Sequence, residues 1–134
     1  MTPIVSKGAV LGAFTVAIQV GDLNGRHFVD VEAVVDTGAS DTMVPVDMLT
    51  PLGVEKTERH PYQLADDSVV EYEVGYARIR LNGREGFTLV VFGPEGVTPL
   101  LGATTLELFH LGVDPVGKRL IPVPGLLKAN VRNR

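Results

Sequence analysis

The sequence has no cysteine and no tryptophan, and aromatic residues make up only 6% of it. Without cysteine there is no disulfide framework, no thiol nucleophile and no cysteine-ligated zinc. The composition fits a reducing compartment such as the cytoplasm. Basic runs are missing too. Twelve Lys and Arg stand against sixteen Asp and Glu, a formal charge of −4, so the chain lacks the electrostatic footprint of a nucleic-acid binder. No apolar run approaches the ~20 residues that a membrane-crossing helix needs. Gly8 to Val20, preceded by Lys7, has the outline of a secretory signal. Yet Phe14, Val16, Ile18 and Val20 alternate with Thr15, Ala17 and Gln19, the period of an amphipathic strand, and strand is the better reading. The 134 residues, 45% hydrophobic and 21% charged, suit one globular domain. A chain of this length buries roughly two-thirds of the surface it exposes when unfolded. We expect a single domain over residues 1–124 and a frayed tail over 125–134, where no periodic pattern continues.

Twenty-one valines, set against only two or three short helix candidates, point to an all-β class. Val29, Val31, Ala33 and Val35 alternate with Phe28, Asp30, Glu32 and Val34, and Tyr72, Val74 and Tyr76 alternate with Glu71, Glu73 and Gly75. Phe87 to Phe92 reads as a buried strand. Asn24-Gly25 and Asn82-Gly83 are hairpin turns, because glycine takes positive φ without strain. Asp66-Asp67-Ser68 forms the polar tip of a third hairpin, and Gly93 to Gly96 and Pro115 to Lys118 close two more connections. Asp47 is placed to N-cap a short helix over Met48 to Leu52 that Gly53 ends. A second short helix is expected from Ala103 to Phe109, ended by Gly112.

The chain also repeats a pattern. Val34-Val35-Asp36-Thr37-Gly38-Ala39-Ser40 leads to a short helix and then Leu52-Gly53-Val54. Pro99-Leu100-Leu101-Gly102-Ala103-Thr104-Thr105 leads to a short helix and then Leu111-Gly112-Val113. Each copy is an apolar strand, a glycine where the backbone turns tightly, and a helix, as in a domain built from a duplicated half. The first copy carries the chemistry. A carboxylate at the end of an apolar strand is costly unless hydrogen bonds or a partner compensate it. At Asp36 the backbone N–H of Gly38 is the nearest candidate donor. An Asp that merely caps a turn at a strand end is the bland alternative.

An apolar pair, Asp36-Thr37-Gly38-Ala39-Ser40, and an apolar-apolar-glycine element about sixty residues later resemble the retroviral-like (retropepsin-type) aspartic protease family. The resemblance runs from about Phe14 to Val123. It implies an all-β, closed-barrel-like acid-protease fold with one or two short helices, assembled as a two-fold homodimer. By the same resemblance Asp36 is the catalytic carboxylate, with Thr37, Gly38 and Ala39 supporting the loop. Leu100-Leu101-Gly102 packs beneath that loop. The hairpin around Leu64 to Val70 is the flap, with Ala65, Asp66, Asp67 and Ser68 at its tip against substrate. Family members hydrolyse peptide bonds with two carboxylates that share one proton. As is known for aspartic proteases generally, two carboxylates about 3 Å apart do not both ionise. The chain has one Asp-Thr-Gly, and none of Asp22, Asp30, Asp47, Asp66, Asp67 or Asp114 sits in a matching strand-and-glycine context. The second carboxylate is therefore Asp36 of another copy, brought there by a two-fold axis. The implied activity is an endopeptidase acting at mildly acidic pH on extended peptides with apolar side chains, without metal or cofactor, nucleic acid or membrane.

Two departures stand out. The flap tip, Ala65-Asp66-Asp67-Ser68, lacks the glycines usual in viral enzymes, and Ala103-Thr104 follows Gly102 where many of them place an arginine. The second feature resembles cellular and prokaryotic relatives more than viral ones. A rival reading is a non-catalytic dimeric peptide-binding or scaffold module on the same fold, and a third is a metal-dependent hydrolase using Asp36. His27, His60 and His110 show no metal-ligand spacing, and Asp66-Asp67 reads as a solvated tip rather than a cation site. Ser40 and Ser68 lack a supporting His and Asp. No phosphate-cradling glycine loop is present.

Overall fold

β-Branched residues suit a pleated, half-buried surface, and strands dominate the computed structural model, which describes residues 13–127. In chain order the elements are β1 (Thr15–Gly21), β2 (Phe28–Val35), β3 (Thr42–Pro45), α1 (Val46–Leu52), β4 (Glu58–Gln63), β5 (Val69–Leu81), β6 (Arg84–Gly93), β7 (Leu100–Leu101), α2 (Ala103–Leu108), β8 (Leu111–Asp114) and β9 (Arg119–Pro122). Seven strands form one sheet in the order β1-β2-β7-β3-β6-β5-β4, and β8 and β9 make a separate hairpin. β1 also pairs with β5, through Gln19 with Arg80, Val20 with Ile79 and Gly21 with Arg78. Residues 8–12 of the signal-like stretch and 128–134 of the expected tail lie outside the described residues. Among the described residues no helix is long and apolar enough to cross a membrane.

The alternating patterns supply the core. Ile18 and Val20 of β1, Val31, Ala33 and Val35 of β2, Ala77, Ile79 and Leu81 of β5, and Val90 and Phe92 of β6 are all buried in one cluster. Leu49 from α1 and Leu101 from β7 are fully enclosed by it. Each such side chain contributes roughly 1.5–3 kcal/mol over leaving it in water. The turns fall where turn chemistry puts them. Asn82 and Gly83 both take positive φ, 53° and 77°, as a two-residue hairpin between twisted strands requires.

Four local expectations are corrected. Asp47 does not cap α1. Pro45 is the N-cap, and Asp47, already inside the first turn, accepts the N–H of Gly96 at 3.2 Å, because the chain enters the helix directly from β3. Gly112 does not end α2. Phe109 is its C-cap and His110 follows at φ 53°, while Gly112 lies within β8 opposite Ile121. On β5, Tyr76 faces solvent and Gly75 is buried, since Gly75 shares the face of Ala77, Ile79 and Leu81, which point into the core; a Cβ there would lie 2.1 Å from the Glu55 carbonyl oxygen. Phe87 is likewise outside, with the Arg78 guanidinium 4.6 Å above its ring centroid.

Arg78 and Arg80 both bind Glu85 across the β5–β6 ladder. These guanidiniums hold the Glu85 carboxyl below its ordinary range. A carboxyl whose folded pKa is depressed stabilises the fold fully above its unfolded value and loses that contribution as pH falls through the folded value. Acidification from about pH 5 to pH 3 is thus expected to lower the denaturant midpoint more steeply in the native protein than in a Glu85→Gln variant. Equal slopes in pH-dependent unfolding curves would contradict this.

Candidate active site

β2 carries its apolar face up to Val35, and the chain leaves the sheet at Asp36. The residue stays tied by its backbone, whose N–H donates to the Leu101 carbonyl at 3.0 Å. The half-buried carboxylate accepts the Gly38 N–H at Oδ1, 2.9 Å away, and the Ala39 N–H donates to the Asp36 carbonyl at 3.1 Å. A Cβ at position 38 would sit 3.2 Å from that Oδ1. Glycine thus lets the N–H come close enough to meet part of the cost of a carboxylate at a strand end. Thr37 and Gly38 at the loop's crest are exposed.

The second copy of the repeat lies directly beneath. β7 runs parallel to β2, Val34 opposite Leu100 and Val35 opposite Leu101. Gly102 then passes under the loop, where a Cβ would lie 2.5 Å from the Asp41 carbonyl carbon and oxygen. The N–H groups of Ala103 and Thr104 donate to the carbonyls of Ala39 and Ser40 at 2.8 and 2.9 Å. The loop thereby satisfies N–H groups that open α2 and have no partner within that helix. Three buried threonines lock the arrangement. Thr42 Oγ1 accepts the Gly102 N–H at 3.1 Å and lies 2.6 Å from Thr105 Oγ1, which is 3.0 Å from Thr88 Oγ1.

Beside the loop, under the β4–β5 hairpin, is a cleft of about 460 Å³. Its apolar wall comes from Met43, Leu64, Val91 and Leu100, and its polar wall includes Ser40, Asp41 and Gln63. Tyr62 donates its hydroxyl to Asp41 Oδ2 at 2.7 Å. Burial, reinforced by that bond and the Asp41 charge, pushes the Tyr62 phenol far above its usual range.

Asp36, Thr37, Gly38 and Ala39 thus share one loop, of which Gly38 and Ala39 line the cleft and Asp36 and Thr37 do not. Ala65, Asp66, Asp67 and Ser68 form the exposed hairpin tip and do not line it, whereas Leu64 does. Ser68 donates both its N–H and its hydroxyl to Asp66 Oδ1, at 3.0 and 2.6 Å. His60 lies 2.5 Å from Glu58 Oε1, and no group of three or more His, Asp or Glu converges among the described residues. Sequence reasoning passed over Asp41, Tyr62 and the threonine cluster. The available signal was a polar residue leading the apolar run Met43-Val44 and another inside the second helix.

The model of the gag-polyprotein putative aspartyl protease family matches residues 20–107, well over half of the chain. The chain belongs to this family. Among curated proteins no sequence matches it significantly. Solved structures similar to this family member include the retroviral protease-like domain of Ddi1 from Leishmania major, 18% identical, covering 87% of this chain and 98% of that one at a TM-score of 0.50. The EIAV protease in complex with the inhibitor HBY-793 is 18% identical, with 81% and 94% covered and a TM-score of 0.50. A retropepsin-like aspartic protease from Rickettsia conorii is 24% identical, with 76% and 84% covered and a TM-score of 0.46. The first two likenesses show the fold.

Two substitutions test how the loop is held. Gly102→Ala forces overlap with Asp41 and is expected to cost about 1–3 kcal/mol. Thr105→Val removes the hydroxyl between Thr42 and Thr88, leaving Thr42 with the Gly102 N–H and Thr88 with a long 3.4 Å bond to the Leu89 carbonyl, and is expected to cost a similar ~1–3 kcal/mol. Urea midpoints lowered at unchanged m-value bear this out, and unchanged midpoints contradict it.

Proposed function

We propose that this protein is an aspartic endopeptidase in which Asp36 of two chains forms a single carboxylate pair in a two-fold homodimer. The observation that carries the reading is the Asp36 loop itself. A half-buried carboxylate stands at a strand end, held by the Gly38 N–H and braced from below by Gly102, beside a cleft with an apolar wall. Family membership supports it. One such loop per chain gives half of a dyad, and a two-fold axis through the loop supplies the other half. The β1–β5 pairing agrees with a closed-barrel-like protomer.

In the proposed reaction the ionised carboxylate takes a proton from a water molecule, and the resulting hydroxide attacks the peptide carbonyl carbon. The protonated carboxyl donates to the carbonyl oxygen. Collapse of the tetrahedral intermediate then breaks the C–N bond, with a proton delivered to the leaving amine. The pair titrates in two steps that belong to both groups together, which gives a bell-shaped pH–rate profile. Thr37, Gly38 and Ala39 fix the loop, and the hairpin tip, Ala65 to Ser68, closes over an extended peptide. Met43, Leu64, Val91 and Leu100 favour apolar side chains.

One observation favours a second reading, a dimeric peptide-binding module without turnover. The hairpin tip is braced internally by Asp66 and does not line the cleft. Incubating the protein with denatured substrate at about pH 4 to 6, with and without a pepstatin-type inhibitor, separates the two. Inhibitor-sensitive cleavage is expected. Asp36→Asn is expected to lower kcat/KM by at least roughly 10²–10⁴-fold while the dimer persists in sedimentation analysis. Cleavage retained in purified Asp36→Asn protein would overturn the assignment, and binding of peptides without any cleavage would favour the module.

A further inference from the structure

The β4–β5 hairpin joins the rest of the sheet late. β5 begins to pair with β6 only at Val74, so before that residue the ladder among the described residues is β4 against β5 alone, from Glu58 with Val74 to Gln63 with Val69. A two-stranded ribbon is marginal by itself. Its side-chain bonds mostly turn inward. Arg59 binds Glu71 and Glu73, His60 binds Glu58, Gln63 binds Asp67, and Lys56 at the root reaches Glu73. The bonds of Arg59, His60 and Gln63 brace the ribbon itself, and Lys56, which also lies 5.5 Å from the Phe92 ring centroid, ties only its root to β6. Tyr62 is different, because its hydroxyl crosses to Asp41.

We infer that the Tyr62–Asp41 hydrogen bond is a latch that holds the β4–β5 hairpin down over the cleft, with Tyr62 as a positioning residue. Asp41 is a fixed anchor. Its carbonyl packs on Gly102, and the next residue, Thr42, is buried in the hydroxyl cluster under the loop. Tyr62 sits in β4 opposite Val70, and its ring lies 6.1 Å from that of Tyr72, tilted by 58°. The aromatic contact aims the hydroxyl, and the acceptor is a carboxylate, the stronger kind of hydrogen-bond partner. The latch joins the hairpin to the segment that follows Asp36, so hairpin position and loop position are coupled. Its bearing on turnover rests on the peptidase reading above, whereas the latch itself does not.

Amide hydrogen exchange on the intact protein tests it. Tyr62→Phe and Asp41→Ala are each expected to speed exchange of hairpin amides between residues 58 and 70 by about tenfold, and to leave the β5–β6 ladder beyond Val74 unchanged. The double variant is expected to match either single one, because the two side chains make one bond. Asp41→Asn keeps an acceptor and is expected to exchange more slowly than Asp41→Ala. It also serves as the second partner variant if Asp41→Ala does not fold. Unchanged exchange in Tyr62→Phe, or additive effects in the double variant, would overturn the latch. In cleavage assays Tyr62→Phe is expected to raise KM by a larger factor than it lowers kcat. If the native protein does not cleave, the peptidase reading fails while the exchange result still decides the latch. If it cleaves and exchange is unmoved, the latch fails alone.

Discussion

The parallel contact between β2 and β7, and the glycine that follows β7, position everything else at the site. Val34 and Val35 lie against Leu100 and Leu101, and the Asp36 N–H reaches back to the Leu101 carbonyl. A parallel pair cannot be closed by a tight turn and needs a long crossover. Here that crossover runs from Asp36 to Pro99, nearly half of the chain, so the loop is held by a contact formed late in sequence. Gly102 fits beneath because it has no Cβ, and its N–H goes to a threonine hydroxyl instead of water.

This arrangement answers the electrostatic problem at Asp36. A carboxylate leaving an apolar strand loses hydration, and one backbone N–H only partly replaces it. Partial exposure at the loop's crest supplies the rest. Such a group is accessible to a partner carboxylate and to water, as a shared-proton pair needs. The buried threonines below keep the loop's floor polar yet satisfied, so rigidity comes from hydrogen bonds between side chains of small volume and not from added apolar bulk. The hairpin above is the opposite case, exposed along most of its length and linked to the loop side of the cleft by the Tyr62 hydroxyl. Asp41 touches both, through its carboxylate to Tyr62 and its carbonyl against Gly102.

Much of this was legible in the residues. Period-two valines marked β1 and β2, the Asn-Gly dipeptides marked two turns, and the strand-glycine-helix repeat located the pair of turns that meet under Asp36. Other features were hidden because they depend on contacts distant in sequence. Tyr76 and Gly75 exchange their expected faces because Ala77, Ile79 and Leu81, two to six residues on from Gly75, set the core face of the strand. Phe109 and His110 end α2 before Gly112 is reached, and a histidine, though better tolerated at positive φ than most residues, is a weaker stop signal than the glycine two residues on. Thr42, Thr88 and Thr105 look like ordinary strand and helix threonines until the fold brings their hydroxyls together. Asp41 stood next to the motif, but its partner Tyr62 is twenty-one residues away on another strand.

The central claim is that one working site takes an Asp36 from each of two chains. Mixing native subunits with Asp36→Asn subunits, under conditions where subunits exchange, tests it most directly. If the pair is shared, specific activity per total subunit falls as the square of the native fraction, because only native–native dimers hold both carboxylates. A linear fall, with each native subunit retaining its full activity beside an Asp36→Asn partner, would contradict it.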